Sequence, residues 1–160
     1  MIKPPSAVSR ELRYPKGVVW ILFAIVLVLR LLMMPINEAE YTDGVLQARQ
    51  FTNPVGIWRP LYSGMIYILK FIFDYLYAGR LVSVLASAIA IIPLYALAKR
   101  AFGTRAAMYA GIFYIVAPVA NRWGIRLMTD ATFSLFFIWC CERLYFASDE
   151  RDKAKAFSAL

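Results

Sequence analysis

The sequence predicts an all-α integral membrane protein, and its composition and its long apolar runs are the observations that indicate this class. Of the 160 residues, 61% are hydrophobic and 16% are aromatic, whereas a soluble domain averages about 45–50% apolar residues. The run 17–34 has about the length that crosses the hydrocarbon core of a bilayer. Its one charged residue, Arg30, lies near the end of the run, where we expect the side chain to reach the lipid headgroups.

The first apolar run also has to be compared with a signal peptide, because basic residues precede it. A cleaved signal peptide carries small residues at its cleavage site. The residues after this run read "LLMMPINEAE" and contain no such site. We therefore predict an uncleaved first helix.

Three more apolar segments are predicted to span the membrane, at 81–98, 106–120 and 131–147, followed by a polar cytoplasmic tail at 148–160. The segment 81–98 carries Ser83 and Ser87 at the small-xxx-small spacing that lets helices pack closely. Residues 35–80 then form the first outer loop. The four spans and the loop make up one N-terminal transmembrane module over 1–160.

The segment 61–78 within that loop is ambiguous. Its more polar residues recur at helical spacing and share one face; they are Ser63, Tyr67, Lys70, Asp74 and Tyr77. Such a helix either lies flat in the membrane interface or spans the membrane with its polar stripe against other helices. On the flat helix, Lys70 and Asp74 are expected to pair.

The distribution of lysine and arginine favours the flat helix. With four spans and a cytoplasmic N-terminus, most basic residues fall on the cytoplasmic side, as the positive-inside rule requires. If 61–78 spans, the later loops invert and fewer basic residues lie inside than outside. The same rule accounts for the net charge of +8, so we expect no nucleic-acid partner.

The cysteine and histidine content limits the disulfide bonds and metal sites that the chain can form. Cys140 and Cys141 are adjacent in an apolar segment and are poor disulfide partners. Because the chain has no histidine, any metal would be a hard cation such as Mg²⁺ or Mn²⁺ held by carboxylates. Aromatic residues near the interface, including Tyr62 and Tyr75, are typical of an interfacial belt.

The flat-helix topology places Glu38, Glu40 and Asp43 on the same outer face as Asp130. Clustered carboxylates can supply a general base or hold a divalent cation beside a phosphate. Outer arginines suit the phosphate itself; they are Arg59, Arg80, Arg122 and Arg126. A lipid phosphate fits this chemistry. The alternative is that the acids are only solvated, with Asp130 as a helix N-cap or as the partner of Arg126 on one helical face.

Several motifs occur in an order that resembles a known family. They are "NEAEY" in the first outer loop, "RPLYSGMIYILKFIF", "AGRLVSVLASAIAIIPLYALAKRAFGTRAAMYAGIFYIVAP" and "RLMTDATFSLFF". Over about 30–147 the chain resembles the N-terminal module of GT-C membrane glycosyltransferases, and most of all the protein O-mannosyltransferases and the lipid A aminoarabinose transferases. In that family an acidic motif opens the first outer loop, and a further acidic residue opens the fourth span.

The resemblance implies a GT-C-like fold and transfer of a sugar from a polyprenyl-phosphate donor to a protein, glycan or lipid hydroxyl outside the cytoplasm. Glu38 matches the motif's glutamate and is expected to act as base or cation ligand. Glu40 is the second candidate for this role, and Asp43 is expected to support it. Tyr41 and Asp130 match the family's binding positions, and Asp130 is a second tentative metal ligand. Asn37 stands where the family usually has aspartate, and an amide cannot act as a base.

On the model that the resemblance implies, Arg80 and Arg126 are candidates to bind the leaving phosphate. The alternative for Arg80 is an anchor at the mouth of the second span. The expected location is the cell inner membrane or the endoplasmic reticulum, in contact with membrane lipid. Family enzymes contain many more spans, so we expect this chain to be the opening portion of such an enzyme. Asn37 keeps a second hypothesis open, a small non-catalytic membrane subunit that binds a lipid phosphate or partner helices. A transporter is disfavoured, because the spans lack a row of ionisable residues.

Overall fold

A computed structural model describes residues 17–36, 40, 44–46, 49 and 60–158, with side chains up to residue 148. All regular secondary structure in these ranges is helical, which confirms the predicted all-α class. Helix α1 is followed by one 3₁₀ turn, Met34–Ile36. The helices are α1 (Val18–Met33), α2 (Pro60–Leu69), α3 (Tyr75–Ile89), α4 (Ile91–Phe102), α5 (Thr104–Val116), α6 (Pro118–Gly124) and α7 (Asp130–Ser158).

Two stretches in the described part of the chain are long and apolar enough to cross a membrane, Val18–Ile36 and Tyr75–Phe102. The first coincides with the predicted span at 17–34. The second contains the predicted span at 81–98 and consists of α3 and α4, which meet at Ala90. Pro93 has no N–H to donate to the carbonyl of Ile89, which accounts for the interruption. The crossings predicted at 106–120 and 131–147 stay predictions.

The segment 61–78 does not form the single helix that its periodicity predicts. Helix α2 ends at Leu69 and α3 begins at Tyr75, with Asp74 as its N-cap. The Asp74 carboxylate accepts a hydrogen bond from the backbone N–H of Tyr77 at 2.9 Å, so a new helix starts there. Helix α2 has 10 residues, about 15 Å at 1.5 Å per residue, which is half of a hydrocarbon core. Its location in the interface stays a prediction.

The break also replaces the pairing expected between Lys70 and Asp74. The Lys70 ammonium donates to the Tyr75 hydroxyl at 3.2 Å and lies 4.0 Å from the centre of the Tyr67 ring. The carboxylate of Asp74 is used as the helix cap. The two side chains therefore stabilise the same turn through different partners.

The 106–120 segment is also interrupted. Helix α5 ends at Val116, Ala117 is extended, and Pro118 is the first residue of α6. Proline favours an extended conformation in the residue before it and is well suited to the first position of a helix. The span predicted at 106–120 is therefore divided into two helices at Ala117 and Pro118.

Helix α3 is the centre of the bundle and contacts α1, α2, α4, α6 and α7. Its close contacts depend on small side chains, as the spacing of Ser83 and Ser87 predicts, and both serines are buried. On one side Ala86 and Ala90 pack against Ala131 and Leu135 of α7. On another side α2 folds back along α3. That contact is formed by Tyr62 and Ile66 with Ala78, Val82 and Leu127.

Arg30 is fully buried rather than extended toward the headgroups, so this prediction is wrong. Its Nη1 donates to the Tyr114 hydroxyl at 3.3 Å, and its guanidinium carbon lies 4.8 Å from the centre of that ring. The Tyr114 hydroxyl donates in turn to the Ser87 carbonyl at 2.7 Å. A Cβ on Gly124 would lie 3.0 Å from the guanidinium carbon, so this glycine leaves the space that Arg30 fills.

Candidate functional site

Glu40 joins three parts of the chain at the end of the bundle where α1 ends and α7 begins. Its Oε1 lies 2.6 Å from Nε of Arg80 on α3. Its Oε2 accepts a hydrogen bond from the backbone N–H of Leu127 at 3.0 Å. The side chains of Glu40 and Arg80 are only 5% and 12% exposed. Glu40 therefore fixes the outer loop to α3 and to the turn between α6 and α7.

These contacts define what Glu40 can do chemically. Both carboxylate oxygens accept hydrogen bonds, and one comes from a charged donor, which makes a short and strong bond. A proton transferred to Glu40 would have to weaken at least one of these bonds. The geometry fits a residue that positions Arg80 better than it fits a general base.

Tyr62 lies beside this ion pair in a buried hydrogen-bond chain. Its hydroxyl oxygen lies 3.2 Å from the Gly79 carbonyl oxygen and 3.1 Å from the Ser83 hydroxyl oxygen. The Ser83 hydroxyl lies 3.1 Å from the Met128 carbonyl oxygen. Each hydroxyl has one proton, so two of these three contacts are hydrogen bonds at any one time. Tyr62 was expected in an interfacial belt, but it is 2% exposed, because α2 folds this face onto α3.

Burial raises the pKa of the Tyr62 phenol well above its usual value, and the nearby charges of Glu40 and Asp130 raise it further. The phenol therefore stays protonated at neutral pH and acts as a hydrogen-bond donor. Glu40 accepts a hydrogen bond from Leu127 N–H, and Asp130 follows three residues later at the start of α7, so the two acids lie at the same end of the bundle.

Asp130 is the first residue of α7 and is exposed. The carbonyl of Thr129 accepts the first helical hydrogen bond, from Phe133 N–H at 2.8 Å, so the N-cap position is Thr129 and not Asp130. A carboxylate in the first turn is still favourable, because the N-terminal end of a helix is positive. Arg126 lies in the turn before α7. The continuous helix that would have placed Arg126 and Asp130 on one face is therefore absent.

We call the hydrogen-bonded side chains of Glu40, Arg80, Tyr62 and Ser83 the polar layer. An apolar cavity of about 350 Å³ adjoins it at Tyr62. Tyr62 and Thr129 lie at its polar side, and its other walls come from the start of α2 and the first turns of α7, namely Pro60, Leu61, Thr132, Phe133 and Phe136. A charged layer next to an apolar cavity suits an amphiphilic ligand, with a polar headgroup above and a hydrocarbon chain below.

The other predicted site residues, Glu38, Tyr41 and Asp43, lie outside the described residues, as does Asn37. Their proposed roles stay predictions, and so does the cation site assigned to Glu38 and Asp130. Among the described residues, no three acidic or thiol side chains lie close enough together to hold a metal ion. Arg80 is placed in the site through its ion pair with Glu40.

Three contributors to this layer were missed from the sequence: the Tyr62 hydroxyl, the Leu127 N–H and the Met128 carbonyl. The backbone groups carry no sequence signal, because any residue at 127 or 128 would offer them. The burial of Tyr62 could have been predicted from its spacing, because Tyr62 and Ile66 are four residues apart and lie on the same face of α2.

Comparison with protein families gives one match. The sequence profile of the dolichyl-phosphate-mannose-protein mannosyltransferase family matches residues 60–160. Comparisons with curated proteins and with solved structures gave no match. The profile covers more than half of the chain, from α2 through α7, and the chain therefore belongs to the dolichyl-phosphate-mannose-protein mannosyltransferase family, a family of GT-C type.

Proposed function

We propose that this protein transfers a sugar from a polyprenyl-phosphate donor to an acceptor hydroxyl on the extracytoplasmic side of a membrane, alone or as part of a longer enzyme. The family match over 60–160 carries the proposal. The family is named for a dolichyl-phosphate mannose donor and a protein acceptor, and a mannosyl group with a protein hydroxyl is the first pair to test. The charged side chain of Arg80, held by Glu40, supports a donor that carries a phosphate.

In the proposed reaction a carboxylate takes the proton of the acceptor hydroxyl, and the oxygen attacks the anomeric carbon. A new carbon–oxygen bond forms as the bond from the anomeric carbon to the phosphate oxygen breaks, and the polyprenyl phosphate leaves with the electron pair. We assign the base to Glu38, with Asp43 in support, because Glu40 is already bonded through both oxygens. If a divalent cation takes part, Glu38 and Asp130 are its proposed ligands.

The leaving phosphate needs a positive partner that is held in place before the reaction. Arg80 meets this need, because its Nε is fixed by Glu40 at 2.6 Å while its side chain keeps 12% exposure. Arg126 is the second candidate to bind the leaving phosphate, and it directly precedes Leu127 in the turn between α6 and α7. Tyr41 is proposed to contact the donor.

A second candidate function is a non-catalytic subunit that binds a lipid phosphate or partner helices. Two observations favour it: Asn37 cannot act as a base, and Glu40 is engaged in structural bonds. A subunit that binds a lipid phosphate would share the phosphate-binding role of Arg80 and would differ from the enzyme in transferring no sugar.

The test is a transfer assay in membranes that contain the protein, with labelled polyprenyl-phosphate mannose and a serine- and threonine-rich peptide. Glu38→Gln is expected to abolish transfer, and Arg80→Gln to reduce it strongly. The matched control is Lys99→Gln, an exposed residue at the end of α4, which should transfer like the wild type. Donor binding without transfer to any hydroxyl acceptor would favour the non-catalytic candidate.

The topology is tested separately, because the proposed site needs all its acids on one side. Single cysteines replace Asp43, Gly103 and Met128 in a chain without Cys140 and Cys141, and intact cells are treated with a membrane-impermeant maleimide. Labelling at 43 and 128 but not at 103 supports the shared outer face. Labelling at 43 and 103 but not at 128 would separate Asp130 from the loop and refute the proposed site.

A further inference from the structure

A second apolar cavity continues the first one along the bundle. It has a volume of about 340 Å³ and lies between α2, α3 and α7. Its walls include Met65 of α2 and Leu85 and Ile89 of α3. Thr132 and Phe136 line both cavities. The two cavities share these two wall residues, and we call them together the α2–α7 groove.

The length of the α2–α7 groove matches part of a lipid chain. It runs from Thr129 to Phe136 along α7, which is about 10 Å at 1.5 Å per residue. One leaflet of the hydrocarbon core is about 15 Å thick. Because the groove begins at the end of the bundle that carries Asp130 and continues inward, a single chain of a lipid in that leaflet could follow it over most of its depth.

One polar atom in the wall of the groove lacks a partner. Thr132 is 4% exposed, and its Oγ1 has no hydrogen-bond partner although the atom is buried. A threonine hydroxyl inside a helix normally bonds to a carbonyl one turn earlier, and leaving it unsatisfied is unfavourable. Threonine has two accessible χ1 rotamers in a helix. Because Thr132 lines both cavities, a rotation about χ1 can turn its hydroxyl either to a carbonyl of the preceding turn or toward the groove.

We propose that the α2–α7 groove binds one acyl chain of an ester-linked phospholipid, with the Thr132 hydroxyl donating a hydrogen bond to the ester carbonyl. Ester carbonyls lie at the boundary between headgroups and hydrocarbon, and Thr132 lies within one turn of the start of α7. The apolar side chains of the groove accept the chain below. An isoprenoid phosphate has no ester carbonyl, so it would leave Thr132 unsatisfied.

This site does not depend on the transfer of a sugar, and it can be tested without an activity assay. The protein is purified in detergent, stripped of lipid, and examined by native mass spectrometry. The probes are a diester phosphatidylethanolamine and the diether lipid with the same headgroup and chain length. Wild-type protein is expected to bind the diester about fivefold more tightly, the ratio that one net hydrogen bond supplies.

Two variants separate the carbonyl contact from the chain contact. Thr132→Val should bind both lipids equally, at the level of the diether. Phe136→Trp should fill the groove and reduce binding of both lipids. The matched controls are Thr104→Val, at the start of α5, and Phe113→Trp, on the exposed face of α5, and both should keep the wild-type preference. Circular dichroism checks that each variant keeps its helix content.

Three results would overturn the proposal. Equal binding of diester and diether by the wild type would exclude the hydrogen bond from Thr132. Unchanged lipid binding by Phe136→Trp would place the lipid elsewhere. Displacement of the diester by an equimolar polyprenyl phosphate, with no effect of Thr132→Val, would assign the groove to an isoprenoid chain.

Discussion

The ion pair between Glu40 and Arg80 gives the most direct test of the proposed site. Glu40→Gln keeps the length of the side chain, removes its charge and leaves one acceptor oxygen where two are used. Arg80 would then keep its charge in a position that is only 12% exposed. The folded state should therefore become less stable relative to the unfolded state.

The size of the effect follows from the burial of the two side chains. Removing one partner of a buried ion pair costs about 3–5 kcal/mol, whereas an exposed pair contributes less than about 1 kcal/mol. Because Arg80 keeps some contact with solvent and glutamine can still accept one bond, we expect a loss near the lower figure, about 3 kcal/mol. In a chain of this size that corresponds to a fall of about 6–12 °C in the melting temperature.

The assay is a double-mutant cycle, with unfolding of the purified protein followed by circular dichroism. Glu40→Gln, Arg80→Gln and the double variant are compared with the wild type, and the interaction energy is the deviation from additivity. We expect a coupling of about 2 kcal/mol. Lys99→Gln is the control, because Lys99 is exposed near the end of α4, and it should change stability by less than about 1 kcal/mol. Additive effects of the two substitutions would refute the reasoning.

Three further substitutions test other contacts of the same bundle. Gly79→Ala should destabilise the protein by about 1–3 kcal/mol, because the new Cβ would overlap the Leu127 side chain. Thermal unfolding measures this loss of stability. The control is Gly17→Ala, which should change the stability little, because the space around its Cβ is open. Tyr62→Phe should remove part of the loss of stability at high pH: the folded-state pKa of Tyr62 is raised, so its contribution is complete below about pH 10 and is lost as the pH rises further. Unfolding of wild type and Tyr62→Phe at several alkaline pH values should therefore converge, and parallel curves would contradict this. Arg30→Met should leave stability unchanged or raised in a chemical unfolding assay, because Nε and Nη2 of Arg30 are buried without hydrogen-bond partners; a loss above about 3 kcal/mol would show that this charge is compensated.

Composition and apolar length were sufficient to predict the class of the protein and its first helix, because both depend on the sum of many side chains. The break inside 61–78 could not be read in the same way. The periodic stripe continues through Asp74, but this carboxylate caps a new helix at 2.9 Å. One local hydrogen bond thus decided between one helix and two, and a pattern averaged over several turns does not detect it.

The candidate site was also predicted only in part from the sequence. An acidic loop predicts that carboxylates matter, and Glu40 does lie in a polar layer near Asp130. The role of Glu40 depends on the N–H of Leu127, which is 87 positions away in the chain, and on the approach of α3. Arg30 is a parallel case: its buried position depends on the Tyr114 hydroxyl and on the space left by Gly124, both distant in sequence. Contacts of this kind follow from packing and carry no mark in a single sequence.

The two bonds of Glu40 bear on how the outer loop and the bundle depend on each other. Arg80 belongs to α3, which packs against most of the described helices, and Leu127 belongs to the turn that leads into α7. The proposed roles of Glu38 and Asp43 require a loop that is held near Arg80 and Asp130, and the bonds of Glu40 fix this loop to both elements. Disruption of the Glu40–Arg80 pair should therefore reduce sugar transfer even if the base is Glu38, and Glu40→Asp, which keeps the charge, should restore transfer in part. Full transfer by Glu40→Gln would show that the loop finds its position without this bond.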